Sequence, residues 1–140
     1  MKVRNAYELE EYLDGDLAWR KREFTTLKFM ISTARVHQKE VLLRAGIALM
    51  YSHWEGHIKY AAEVYLRYLN YCAPKYSDMK VNFFQLSLGK EFSNGFSIKK
   101  FKSQKEICEF LESKEEKRFS LVESNVIDTE SNLKSGVLIN

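Results

Sequence analysis

Apolar positions in the first quarter of the chain return with a helical period. Leu9, Tyr12, Leu13, Leu17, Phe24, Leu27, Ile31 and Ala34 fall on one face at spacings of three, four or seven, the mark of a single apolar stripe along a helix. Asn5 is placed to cap its start, with Glu8 three residues on. The pattern predicts a helix over about residues 5–36, with Gly15, between Asp14 and Asp16, as a weak point for a kink or restart. A second helix is predicted from about Gln38 to Tyr71, stopped by Pro74. Its apolar surface is broad, from Val41, Leu42, Ala45, Ala48 and Leu49 through Tyr51, Trp54 and Ile58 to Tyr65 and Leu69. Such a wide face predicts contact with more than one neighbour. The short link near His37 makes the two helices antiparallel neighbours.

Beyond Pro74 the periodicity weakens. Residues 75–102 hold Gly89, Gly95 and several Asn and Ser between short apolar clusters, and are read as an ordered connection with little regular structure. Ser103 with Glu106 reads as a capping box opening a short helix through Ile107, Phe110 and Leu111. Residues 113–118 are charged and expected to be exposed. Thr129 or Ser131 reads as the cap of a further helix carrying Leu133, Val137 and Leu138. The expected fold is all-α: one antiparallel helical bundle over residues 1–140, with two long helices and a shorter C-terminal part.

Composition narrows the class. A length of 140 residues, 45% of them hydrophobic and 14% aromatic, suffices to bury one core but not two. Cys72 and Cys108 lack a partner motif and are expected as reduced thiols. Met1 leads into Lys2, Arg4 and Glu8 rather than an apolar leader, and no apolar run approaches the roughly 20 residues of a membrane span. A cytoplasmic protein with no membrane association is expected. The net charge of +3 permits a polyanionic partner without requiring one.

Polar residues on the second helix form their own stripe, Ser52, Glu55, Lys59, Glu63, Arg67 and Asn70. A solvated face laced by alternating charges accounts for it at about 0.2–0.5 kcal/mol per pair. A functional account places Glu55, beside Trp54, in a polar site between helices, with Arg44 three turns earlier on nearly the same face. His53 and His57 stand four residues apart, but Glu55 is one residue late for a metalloprotease helix and no third ligand is evident, so no metal is expected. No phosphate-cradling glycine loop or nucleophile elbow occurs, and no cofactor is expected. Arg20, Lys21 and Arg22 form one basic group. Lys99, Lys100, Lys102 and Lys105, interleaved with Phe96 and Phe101, form another that suits an RNA backbone.

Three segments together carry a family likeness: DLAWRKREFTTLK (Asp16 to Lys28), LLRAGIALMYSHWEGHIKYAAEVYLRYL (Leu42 to Leu69) and IDTESNLKSGVL (Ile127 to Leu138). In this order they resemble the HEPN superfamily, in particular its prokaryotic MAE-type branch. The most specific element is Tyr51-Ser52-His53-Trp54-Glu55-Gly56. The resemblance implies a helical bundle that forms a homodimer. It also implies an RNA-targeting role, as a metal-independent endoribonuclease of a toxin–antitoxin or anti-phage system or a truncated form of one. A cognate antitoxin or defence-system protein is then an expected partner.

Catalytic members pair an Arg with a His four to six residues further on, so that His moves protons while Arg steadies phosphorane charge. No Arg stands in that relation to His37, His53 or His57. The pair is expected beyond the Ser131 helix, which makes the domain C-terminally incomplete relative to the family. The residues carried over are Trp54, as structural, and Glu55, with Arg44 and His53 as further polar-site candidates. The alternative is a non-catalytic HEPN-like module that binds RNA or a protein partner.

Overall fold

The structure, a computed structural model, describes residues 1–93, 101–113 and 116–121. Helix α1 spans Ala6–Thr33 and α2 spans Val36–Cys72, followed by a single 3-10 turn at Tyr76–Asp78, α3 at Val81–Ser93 and α4 at Phe101–Glu112. Among the described residues every regular segment is helical, in agreement with the all-α expectation. None of these helices is long and apolar enough to cross a membrane. The further helix predicted from Thr129 or Ser131 lies outside the described residues.

The local signals at the two long helices act as expected. The Asn5 side chain accepts the Glu8 backbone N–H at 2.8 Å, closing the first turn of α1. The helix continues through Gly15 without interruption, so the predicted weak point is not a break. Every member of the α1 stripe is half-buried. Helix α2 stops when Ala73 turns left-handed at φ 42° and donates its N–H to Leu69 O at 2.8 Å. Pro74 follows and cannot continue a helix.

The described residues form two compact units. The first joins Met1–Arg4 to the described residues between Leu66 and Leu121. Its core holds Leu66, Leu69, Tyr76, Phe84, Phe119 and Leu121, with Met79, Phe83, Leu86 and Phe110 packed against it. The rings interlock by edges and faces: Phe84 stacks on Phe110 at 5.2 Å, and Tyr76 meets Phe84 at 5.6 Å and Phe119 at 5.8 Å. The returning segment is fastened by a backbone bridge between Lys75 and Arg118. The Asn70 side chain also donates to Leu121 O at 2.7 Å and accepts from Leu121 N at 2.9 Å.

This unit corrects two expectations. The segment after Pro74 is largely helical, not irregular. Phe83, Phe84, Leu86 and Ser87 gather on the buried side of α3, and the core they enter outweighs the weak helix preference of Asn82, Ser87 and Gly89. The other correction is at α4, which begins at Phe101, ahead of the predicted cap at Ser103.

The second unit is the hairpin of α1 with α2 up to Tyr65. Contacts march in opposite directions along the two helices, Leu27 beside Gly46, Arg20 beside Gly56, and Asp16 on His57. The pair is therefore antiparallel, turning at residues 34–35 as the short link predicts. Of residues 5–65 the buried ones are Asp16, Arg20, Gly46, His53 and Val64. Three of the five are polar or charged, and this draws attention to one point along the hairpin.

Candidate functional site

Asp16 and Arg20 both fall on the buried face of α1, where the stripe running through Leu13, Leu17 and Phe24 would otherwise place apolar side chains. Being four residues apart they stack one turn over another. Arg20 grips the Asp16 carboxylate with two prongs, Nε to Oδ2 at 2.8 Å and Nη2 to Oδ1 at 3.0 Å. Trp19 Nε1 donates to Oδ1 at 3.1 Å. The guanidinium also crosses to α2, where Nη1 donates to His53 O at 3.0 Å and lies 3.2 Å from His53 Nδ1. From α2, His57 Nδ1 reaches Asp16 Oδ2 at 2.7 Å.

The two histidines have different situations. His53 is 5% exposed and edged by the rings of Trp19 and Phe24 at 5.2 and 4.9 Å. Its Nε2 lies 2.9 Å from Glu23 Oε2 but off the hydrogen-bonding direction. His57 keeps about a quarter of its side chain in solvent, 26%. With Nδ1 anchored on Asp16, Nε2 of His57 is the nitrogen left for other chemistry.

Gly56 explains how the guanidinium fits. A Cβ on Gly56 would stand 3.0 Å from Arg20 Nη1 and 3.1 Å from Nη2. Helix propensity favours Gly56→Ala by about 1 kcal/mol. The guanidinium, however, is held on both sides by Asp16 and His53 and cannot retreat without weakening buried charged hydrogen bonds at about 1–3 kcal/mol each. Gly56→Ala is therefore expected to destabilise the protein by about 1–2 kcal/mol net, read as a lower urea midpoint at unchanged slope. A gain in midpoint would mean that the cluster is looser than its distances say.

Burial alone pushes the Asp16 carboxyl up, but the hydrogen bonds from Arg20, His57 and Trp19 and the charge of Arg20 outweigh it, so the group is held below the ordinary carboxylate range. A folded-state value below the unfolded one means that the stabilisation is complete above the ordinary value and drains away as pH falls through the folded one. Stability is expected to decline as pH drops below about 4. Asp16→Asn should flatten that part of the profile, measured by thermal unfolding across pH. An identical acid slope in both proteins would assign the decline to other carboxylates.

The residues singled out from the sequence are partly dispersed. His53 joins the cluster. Glu55 pairs with Lys59 on its own helix instead, and Arg44, exposed, pairs with Glu40 at 3.5 Å, so Arg44 and Glu55 are not brought together. Trp54 is half-buried and tilted against Tyr51 at 6.3 Å. Lys102 is 90% exposed and 4.0 Å from Glu106, while Lys99 and Lys100 lie outside the described residues. Arg20 parts company with Lys21 and Arg22, which are exposed. Sequence reasoning missed Asp16, Arg20, Trp19, Glu23 and His57 as a group. The available signal was a charge on an apolar stripe, which is costly unless paired.

A family model described as RiboL-PSP-HEPN matches residues 15–140. The matched span contains every member of the cluster. No curated protein and no solved structure matches the sequence.

Proposed function

The chain belongs to the RiboL-PSP-HEPN family, and from that premise we propose that it is an RNA-targeting protein of the MAE-type HEPN branch, acting as a metal-independent endoribonuclease in a toxin–antitoxin or anti-phage system. The observation that carries the catalytic reading is the Asp16–His57 pair. A buried carboxylate fixes one nitrogen of a part-exposed imidazole, which sets the tautomer and leaves Nε2 free to accept a proton. In the proposed step Nε2 takes the proton of a ribose 2′-hydroxyl. The 2′-oxygen then bonds to phosphorus, and the 5′-oxygen leaves with a proton from solvent or from the imidazolium, giving a 2′,3′-cyclic phosphate. His57 is the base in this reading and Asp16 its positioning residue.

The test is cleavage of single-stranded RNA in the presence of a chelator. His57→Gln is expected to lower the rate at least about 100-fold while leaving the helical spectrum and RNA retention intact. A substrate with 2′-deoxyribose at the cut position should be inert. Undiminished cleavage by His57→Gln would remove His57 from the mechanism.

One observation favours the alternative of a non-catalytic RNA- or protein-binding module. Arg20, whose guanidinium grips the same carboxylate as His57, is 9% exposed and engaged by Asp16 and His53, so it is not presented to a phosphate. A binding module would hold RNA with a steep salt dependence and release it uncut. In either case we take the protein as a homodimer. Val36, Leu43, Ile47 and Met50, at helical spacing on α2, are exposed, and a second copy would cover such a stripe.

A further inference from the structure

A cleft of about 560 Å³ opens beside the cluster, lined by Glu11, Tyr12, Gly15, Asp16 and Trp19 of α1 and by Tyr60 of α2. The α1 members lie one turn after another on a single face, so this wall is set by a rigid helix. Three of the six lining residues are aromatic, and two of the rest are carboxylates.

Gly15 is the telling member. Glycine inside a helix costs stability relative to alanine, and structures normally repay that cost with a close approach or a left-handed backbone. Neither applies here: a Cβ built on Gly15 meets nothing within 4 Å, and the residue sits in regular helix. At Gly56 the missing side chain makes room for Arg20. At Gly15 it makes room only for the cleft.

The geometry points to a base-binding site: the cleft takes an unstacked guanine base of single-stranded RNA, held between aromatic walls and read by Glu11. This rests on the RNA-targeting reading above and names the base it prefers. The Arg20 guanidinium lies 4.5 Å over the Trp19 ring, so the stacking surface for a planar base comes from Tyr12, Tyr60 and the Trp19 face that Arg20 leaves open. The Asp16 oxygens already accept from Trp19, Arg20 and His57, so Glu11, exposed at the rim, is the carboxylate open to a ligand. A carboxylate accepts two hydrogen bonds side by side. Guanine presents N1–H and the N2 amino group side by side, a match that adenine and uracil do not offer. The lining carries two carboxylates and no cation of its own, and the nearby Arg20 guanidinium is taken up by Asp16 and the His53 carbonyl, so the base and not a phosphate is the part that enters. Inside, the base lies against the carboxylate that holds His57.

The experiment titrates GMP, its N1-methyl derivative and AMP, which share one phosphate, into the Trp54→Phe protein, where Trp19 is the fluorescent reporter. GMP is expected to quench Trp19, and N1-methyl-GMP and AMP to bind about tenfold more weakly or worse. Gly15→Leu should fill the cleft and abolish the quench, with a thermal midpoint no lower than the parent because leucine is the better helix former. Should that variant lose stability, Glu11→Gln, at an exposed position, supplies the same test and should weaken GMP about tenfold. Equal binding of the three nucleotides, or unaltered GMP binding in either variant with its fold intact, would overturn the proposal. Guanine-selective binding by a protein that leaves RNA uncut would sink the endoribonuclease reading alone. Cleavage indifferent to guanine, with no GMP quench, would sink this one alone.

Discussion

Arg20→Met is expected to lower the unfolding free energy by about 3–5 kcal/mol, the largest effect of any single change in the α1–α2 hairpin. The number follows from what is left behind rather than from what is removed. Asp16 is 8% exposed and loses two of its four donors at once, so a carboxylate remains in the interior without its counter-charge. The His53 carbonyl loses a donor as well. Removing both charges is a different matter: Asp16→Leu with Arg20→Met replaces the pair by apolar side chains on a stripe that already reads apolar, and should recover most of the loss. Urea unfolding of the two single variants and the double variant gives the coupling directly. An Arg20→Met cost under about 1 kcal/mol would show that water reaches the pair and that it is worth no more than a surface bridge.

Phe119→Ala is the second large effect, also about 3–5 kcal/mol, and it acts in the other unit. Phe119 is 1% exposed and edges onto Tyr76 at 5.8 Å and Phe83 at 6.1 Å. Its deletion leaves a void between rings that are themselves held in place, Tyr76 by a hydrogen bond to Ser87 and Phe84 by its stack on Phe110, so the walls cannot collapse far. Amide exchange should report it as faster opening of α3 and of the Lys75–Arg118 bridge. Phe119→Leu, which keeps most of the volume, should cost less than half as much. Equal costs for the two variants would mean that ring edges, and not filled volume, hold this core.

The sequence by itself determined the two long helices. Their signals are local: the Asn5 cap, the half-buried stripe from Leu9 to Ala34, the stop at Pro74, and a link too short for anything but an antiparallel turn. It also carried the family likeness, in the Tyr51 to Gly56 string above all. It did not determine α3, because Asn82 and Gly89 read as breakers until the aromatic core that recruits Phe83 and Phe84 is known. Nor did it determine the site. Asp16 with Arg20 and His53 with His57 are each four apart, a spacing that solvated pairs share with buried ones. What separates the two cases is whether the partner helix sets another polar group opposite. Folding the hairpin at residues 34–35 brings these two pairs level, turning four side chains from distant parts of the sequence into one hydrogen-bonded cluster. Register and burial are properties of the folded pair of helices, and they decide which charges are surface decoration and which hold a histidine in place.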